Sequence, residues 1–238
     1  MKNIKIVYEY DGSKFSGFQR QINRKTVQGS IEEVIKNCFD EEINLISSGR
    51  TDKGVHALGQ VSNFFMEKDI SPEIIKRILN RSLSRGIRVT EAEETDMDFH
   101  ARFSAKTRTY LYIMKIKEEI TPFESCYVSA LDKKTDTKKL QKIMEPFIGR
   151  HNFDSFRKKD KREINNIKCY EKDDRLFIEI EGKAFLKTMV RIMIGSALAE
   201  YSGRKNSGYI SGKLNNPDSD SEKILAPSEG LYLYKVNY

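Results

Sequence analysis

The first ten residues alternate: Ile4, Ile6, Tyr8 and Tyr10 are separated by Lys5, Val7 and Glu9, and Asp11-Gly12 ends the pattern. A period of two predicts a strand. The period then changes, with Val27, Ile31, Val34, Ile35 and Cys38 recurring at helical spacing behind Thr26, a residue suited to cap a helix. Residues 43–47 and 61–65 read as strands, separated by a stretch, 48–60, that holds three glycines and reads as loop. Ser71-Pro72-Glu73 is a helix start, with Pro at the first helical position. The helix that follows turns Ile74, Ile75, Ile78 and Leu79 inward, and residues 87–90 make a further strand.

The same alternation of periods returns later. Residues 108–116 predict a strand and 137–148 a helix presenting Leu140, Ile143, Met144 and Phe147. Leu176, Ile178 and Ile180 mark another strand, 185–201 the most apolar helix of the chain, and 231–236 a last strand. Residues 204–223, polar and rich in Ser and Asn, read as a surface loop. Strands and helices in alternation imply an α/β (or α+β) fold in two units, 1–103 and 104–238.

Charge adds a direction. Against 35 Asp and Glu the chain has 42 Lys and Arg, a net +7, which suits a polyanionic partner without requiring one. Cys38, Cys126 and Cys169 form no C-x-x-C pair and read as buried, reduced thiols. His56, His100 and His151 lack zinc-ligand spacing, so no metal is expected. The first residues turn polar at once, and the longest apolar run, 192–199, is too short to span a bilayer. A cytoplasmic protein is the expectation.

The most informative segment is Gly49-Arg50-Thr51-Asp52-Lys53-Gly54-Val55-His56-Ala57. Glycines on both sides allow a tight turn around one acid, and Arg50 and Lys53 place positive charge beside it. On these residues alone an Asp in such a loop is more often a turn residue than a catalyst. However, residues 48–64, SGRTDKGVHALGQVSNF, resemble the signature loop of the tRNA pseudouridine synthase A family. The resemblance continues in order through Tyr10-Asp11-Gly12, Gly17-Phe18-Gln19-Arg20-Gln21 and Thr26-Val27-Gln28. It then covers Asp98-Phe99-His100-Ala101-Arg102-Phe103-Ser104-Ala105, Arg108-Thr109-Tyr110-Leu111-Tyr112, and residues 149–156, 185–195 and 226–233.

The resemblance implies a pseudouridine synthase fold, two similar α/β halves around a central mixed sheet with the active-site cleft between them. It implies isomerisation of uridine on the 3′ side of the tRNA anticodon stem-loop by a homodimer that needs no cofactor. Asp52 would be the catalytic carboxylate, Tyr110 the ring stacked on uracil and Arg191 the basic partner of the acid. Leu231 would line the uracil pocket, and Arg50 would fill the space left by the flipped nucleotide. His100, Arg102 and Arg20 would lie near the RNA. Read without the family, Tyr110 is equally an aromatic on a strand face and Leu231 plain core.

The chain departs from the family pattern at Phe18, where Trp is usual, at Lys187-Thr188, at Ser228, at Leu83-Ser84-Arg85-Gly86 and at Lys161-Arg162-Glu163-Ile164. These departures bear on substrate choice more than on reaction type. The rival functions are a paralogue acting on ribosomal RNA, a non-catalytic RNA-binding protein and a small-molecule glycoside hydrolase.

Overall fold

The alternating opening segment forms β1, Lys2–Tyr10, with Ile4, Ile6, Tyr8 and Tyr10 all buried, in a computed structural model that describes residues 1–154, 161–217 and 222–238. The fold is mixed α/β, and the chain divides into two compact units. The first comprises Met1–Lys106 and Tyr232–Tyr238, the second Thr107–Leu231.

In the first unit β1 is followed by α1 (Val27–Phe39), β2 (Ile46–Ser47), β3 (His56–Met66), α2 (Pro72–Ser82) and β4 (Ile87–Thr95). β1 lies antiparallel between β3 and β4, and β2 adds a short antiparallel pairing to β3. Thr26 caps α1 by accepting a hydrogen bond from the Gly29 amide. α1 buries Val27, Ile31, Ile35 and Phe39, and α2 buries Ile75 and Leu79 while packing on β4 and α1. The inward stripes are narrower than the pattern predicts. Cys38 is exposed, because Phe39 takes the last inward position of α1, and Ile74 is 39% exposed. Residues 56–60, expected as loop, belong to β3, so the loop proper ends at Val55.

The second unit contains β5 (Thr107–Ile116), β6 (Ser129–Leu131), α3 (Thr137–Met144), β7 (Gly149–Asn152), β8 (Lys161–Lys172), β9 (Arg175–Gly182), α4 (Met189–Tyr201) and α5 (Tyr209–Asn215). β5, β9, β8 and β7 pair antiparallel in that order, and β6 runs parallel to β5. β8 escapes the hydrophobic pattern for a physical reason. A bulge between Ile164 and Asn166 shifts the register, so the inward residues Ile164 and Ile167 stand three apart instead of two.

α3 stops at Met144 because Pro146 supplies no amide, and a 3-10 turn over Glu145–Phe147 takes its place. α4 begins at Met189, later than predicted, because Thr188 sits at φ 62 and breaks the helical path. It is buried on almost every side, as an all-apolar helix must be. Gly195 lets the segment before Ala226 run against it, since a Cβ there would lie 2.2 Å from the Ile224 carbonyl oxygen. The expected surface loop at 204–223 contains α5, with 218–221 outside the described residues.

The last strand, β10 (Leu231–Asn237), returns to the first unit and pairs parallel with β3 through Tyr232–His56 and Leu233–Ala57. The cysteines are less buried than their apolar neighbours predict. Cys126 is exposed like Cys38, and Cys169 alone is partly buried, its pKa pushed up to about 12 by desolvation. Among the described residues no helix is long and apolar enough to cross a membrane.

A charge cluster ties the β5–β9 end of the second unit. Lys115 Nζ lies 2.7 Å from Asp174 and 3.2 Å from Glu124, and Arg175 holds Glu124 at 2.6 Å. Lys115, with the Thr121 amide and hydroxyl and then Arg175, pulls the Glu124 pKa down to about 2 from an ordinary 4.5. A depressed carboxylate stabilises the fold above its unfolded value and loses that contribution as pH falls through the folded one. The stability difference between wild type and Glu124→Gln should therefore be full above pH 4.5 and vanish toward pH 2. Denaturant midpoints across that range check it.

Candidate active site

The acid-bearing loop leaves β2, turns at Asp52 and re-enters at β3. Its neck is closed by Gln60, fully buried in β3. The Gln60 amide nitrogen donates to the Gly49 carbonyl at 3.0 Å, and its oxygen accepts from the Ser48 hydroxyl at 2.6 Å and the Val61 amide at 3.2 Å. At the tip the Val55 amide donates to the Asp52 carbonyl at 3.2 Å, and Gly54, at φ 82, takes the left-handed position of that turn. Asp52 is half-buried, and Arg50 and Lys53 are exposed on either side of it.

The segment after β1 grips this loop from the other side. The Tyr10 hydroxyl shares a 2.8 Å hydrogen bond with Thr51 Oγ1, and the Phe18 amide donates to the Thr51 carbonyl at 3.2 Å. Gly17, at φ 98, lies against the backbone of Asp52 and Lys53. Gly12 is pressed closer still: a Cβ there would stand 2.0 Å from the Val55 carbonyl oxygen. Its amide donates to His56 Nδ1 at 3.1 Å, which assigns the neutral ring's proton to Nε2. The buried His56 ring stacks on Tyr232 of β10 at 4.7 Å.

Arg20 joins α1 rather than the loop, its guanidinium 3.0 Å from the buried carboxylate of Glu32. Glu32 also accepts from Gln28 and from the Leu45 amide, which fixes the entrance to β2. His100 and Arg102 stand on a separate loop of the same unit, where His100 Nδ1 accepts the Arg102 and Phe103 amides.

Tyr110, Arg191 and Leu231 belong to the second unit. Half-buried Tyr110 meets the Phe185 ring edge-on at 5.1 Å. Arg191, in the first turn of α4, is locked to Ala226 twice: Nε donates to the Ala226 carbonyl at 2.8 Å, and its own carbonyl accepts the Ala226 amide at 3.0 Å. The Tyr112 hydroxyl donates to the Pro227 carbonyl at 3.0 Å, and burial raises its pKa. The Leu231 amide then closes a turn onto Ser228, and its side chain is buried. Arg191 and Leu231 thus sit at the two ends of one anchored segment.

Sequence reasoning singled out the loop but not what holds it. Gln60 and His56 lie inside the stretch that resembles the family's signature loop, but nothing in their residue type or spacing says what they hold. The arrangement presents one carboxylate on a braced turn between two cations, a geometry suited to nucleophilic or general-base work on an anionic substrate. Among the described residues no group of three His, Cys, Asp or Glu is placed to hold a metal ion.

Gln60→Leu strands the Gly49 carbonyl and the Ser48 hydroxyl without their buried partner. It should cost about 2 kcal/mol or more and speed hydrogen exchange at the Val55 amide. Exchange at Val55 indistinguishable from wild type would show that Gln60 does not brace the loop.

A family model described as tRNA pseudouridine synthase matches residues 6–104 and 143–238. The chain is 37% identical to tRNA pseudouridine synthase A of Finegoldia magna over 244 residues, covering all of both chains. It is 38% identical to the enzyme of the same name from Brachyspira hyodysenteriae, covering 99% of this chain and 98% of that one. A solved structure of an H/ACA RNP bound to a substrate RNA containing 2'-deoxyuridine overlaps at a TM-score of 0.38 and 12% identity, covering 73% of this chain and 38% of that one, too low to add to this.

Proposed function

The chain belongs to the tRNA pseudouridine synthase family, and on that premise we propose that it isomerises uridine to pseudouridine on the 3′ side of the tRNA anticodon stem-loop, with Asp52 as the catalytic carboxylate. The observation that carries the reading is the Asp52 turn, held through its backbone from two directions and flanked by Arg50 and Lys53. The net charge of +7 suits the polyanion.

The reaction breaks the C1′–N1 bond of uridine and rejoins the same base through C5. Asp52 serves as nucleophile at C1′, as the base that produces a glycal, or as a nucleophile that adds to C6 of the uracil. The freed uracil turns over, C5 bonds to C1′, the C5 proton leaves and N1 gains one. Composition is unchanged and no redox partner is consumed. Tyr110 stacks on the uracil, Arg191 supplies positive charge toward the acid, Leu231 lines the base's surroundings and Arg50 fills the gap left in the RNA stack. The proposal includes a homodimer working in the cytoplasm.

Asp52→Asn keeps the side-chain shape but removes the reacting oxygen's charge. Release of tritium from C5-labelled uridine in tRNA should fall to background while RNA affinity stays within about a few-fold; turnover near the wild-type rate would end the assignment. The substrate is tested separately by mapping pseudouridine across all cellular RNA with and without the gene. Loss confined to the anticodon arm is the expected outcome, and unchanged tRNA with a lost ribosomal site would overturn the choice of substrate.

A further inference from the structure

Two of the first unit's fully buried polar side chains serve a loop other than the one that carries Asp52. Asn3 and Asn63, both fully buried, are joined by a 2.8 Å hydrogen bond from Asn63 Nδ2 to Asn3 Oδ1. Their remaining groups serve the loop between β4 and β5. Asn3 Nδ2 donates to the carbonyls of Asp96 at 2.8 Å and Phe99 at 3.0 Å, and Asn63 Oδ1 accepts the Ala101 amide at 2.9 Å. The Tyr238 hydroxyl donates to the Ala101 carbonyl at 2.8 Å, and the Phe99 ring packs on Tyr238 under the Lys5 ammonium. Buried amides are costly unless fully satisfied, so this loop is fixed rather than draped.

What the fixed loop presents is an aromatic ring. Phe103 is 75% exposed, next to the turn closed by the Ser104 amide on the His100 carbonyl. The His100 ring lies 4.3 Å from it and tilts by 32°, and the Arg102 guanidinium sits 5.4 Å from the ring centre. Its neighbours past the Ala101 anchor, Arg102 and Lys106, are cationic and exposed, whereas Asp96 and Asp98 precede the anchor. A π face held rigid and flanked by cations matches what single-stranded and looped nucleic acid requires: a surface to stack on, and charge for the adjoining phosphates.

We propose that Phe103, backed by His100 and Arg102, is a stacking platform for an unpaired or helix-terminal nucleobase of the RNA, at a position remote from the target uridine. The inference rests on the RNA-modifying reading of the chain. Remoteness follows from β3. Asn63, which anchors the platform, stands seven residues beyond His56, where the Asp52 loop joins that strand. At roughly 3.3 Å per residue this is about 23 Å. Phe103 therefore contributes to holding RNA and not to the bond rearrangement.

The chain contains no Trp, so Phe103→Trp introduces a single fluorescent reporter at the platform. Titration with unmodified tRNA should quench its emission, and Phe103→Trp should keep the wild-type KM. Phe103→Ala and Phe103→Leu should each raise KM for tRNA about tenfold or more while kcat stays within about twofold, because leucine is apolar but offers no π face. Wild-type KM in Phe103→Leu, or Trp emission indifferent to tRNA in an active enzyme, would overturn the proposal. Emission that instead shifts with protein concentration in the absence of RNA would also overturn it, by assigning the ring to a contact with a second copy. Quenching is read without turnover, so tRNA that quenches Phe103→Trp while the wild-type chain releases no tritium would sink the isomerase reading and leave the role of Phe103 standing.

Discussion

The contact between Gly12 and the Val55 carbonyl is the constraint on which the candidate site depends. At that distance no other residue fits, so the turn that follows β1 must place glycine at position 12 for the two backbones to meet. Once they meet, Phe18 and Tyr10 reach Thr51, the Gly12 amide reaches His56, and His56 stacks on Tyr232. The loop is thus gripped largely at its main chain, by the backbones of Gly12, Gly17 and Phe18 and by the Gln60 side chain.

The second unit uses the same device in another form. Residues 224–230 pass between α4 and β5 at spacings that only Gly195 and Gly230 permit. Arg191 and Tyr112 then hold the strap by its carbonyls at Ala226 and Pro227. In both units a rigid sheet or helix lends its order to an irregular segment through hydrogen bonds to backbone oxygen. Carbonyls are present at every residue, so such bracing tolerates variation in the braced side chains.

Much of the fold was legible because burial on one face writes a period into the sequence. β1, α1, α2, β5 and β9 all declare themselves in this way. The failures have local causes. A bulge erased the period of β8, Pro146 divided one predicted helix, and Thr188 delayed another. At the candidate site, the glycines and charges around Asp52 mark the loop, but the roles of Gln60 and His56 do not follow from residue type. Their partners lie elsewhere in the chain, and a pattern with no three-dimensional register cannot pair Gln60 with Gly49 or His56 with Gly12. Cys38 shows the opposite error, since an apolar neighbour in sequence says little about which way a helix faces.

β10 gives this architecture an order in time. The strand beside His56 and Ala57, whose Tyr232 covers the His56 ring, is separated from β4 by the entire second unit. A ribosome that has finished β4 has therefore produced most of the first sheet but not the strand that shields the base of the Asp52 loop. Any chain cut short within Thr107–Leu231 lacks that strand, however well its first hundred residues fold. Assembly of the Asp52 loop is thereby deferred until the second unit has been translated, and fragments that end earlier lack the strand that completes its base.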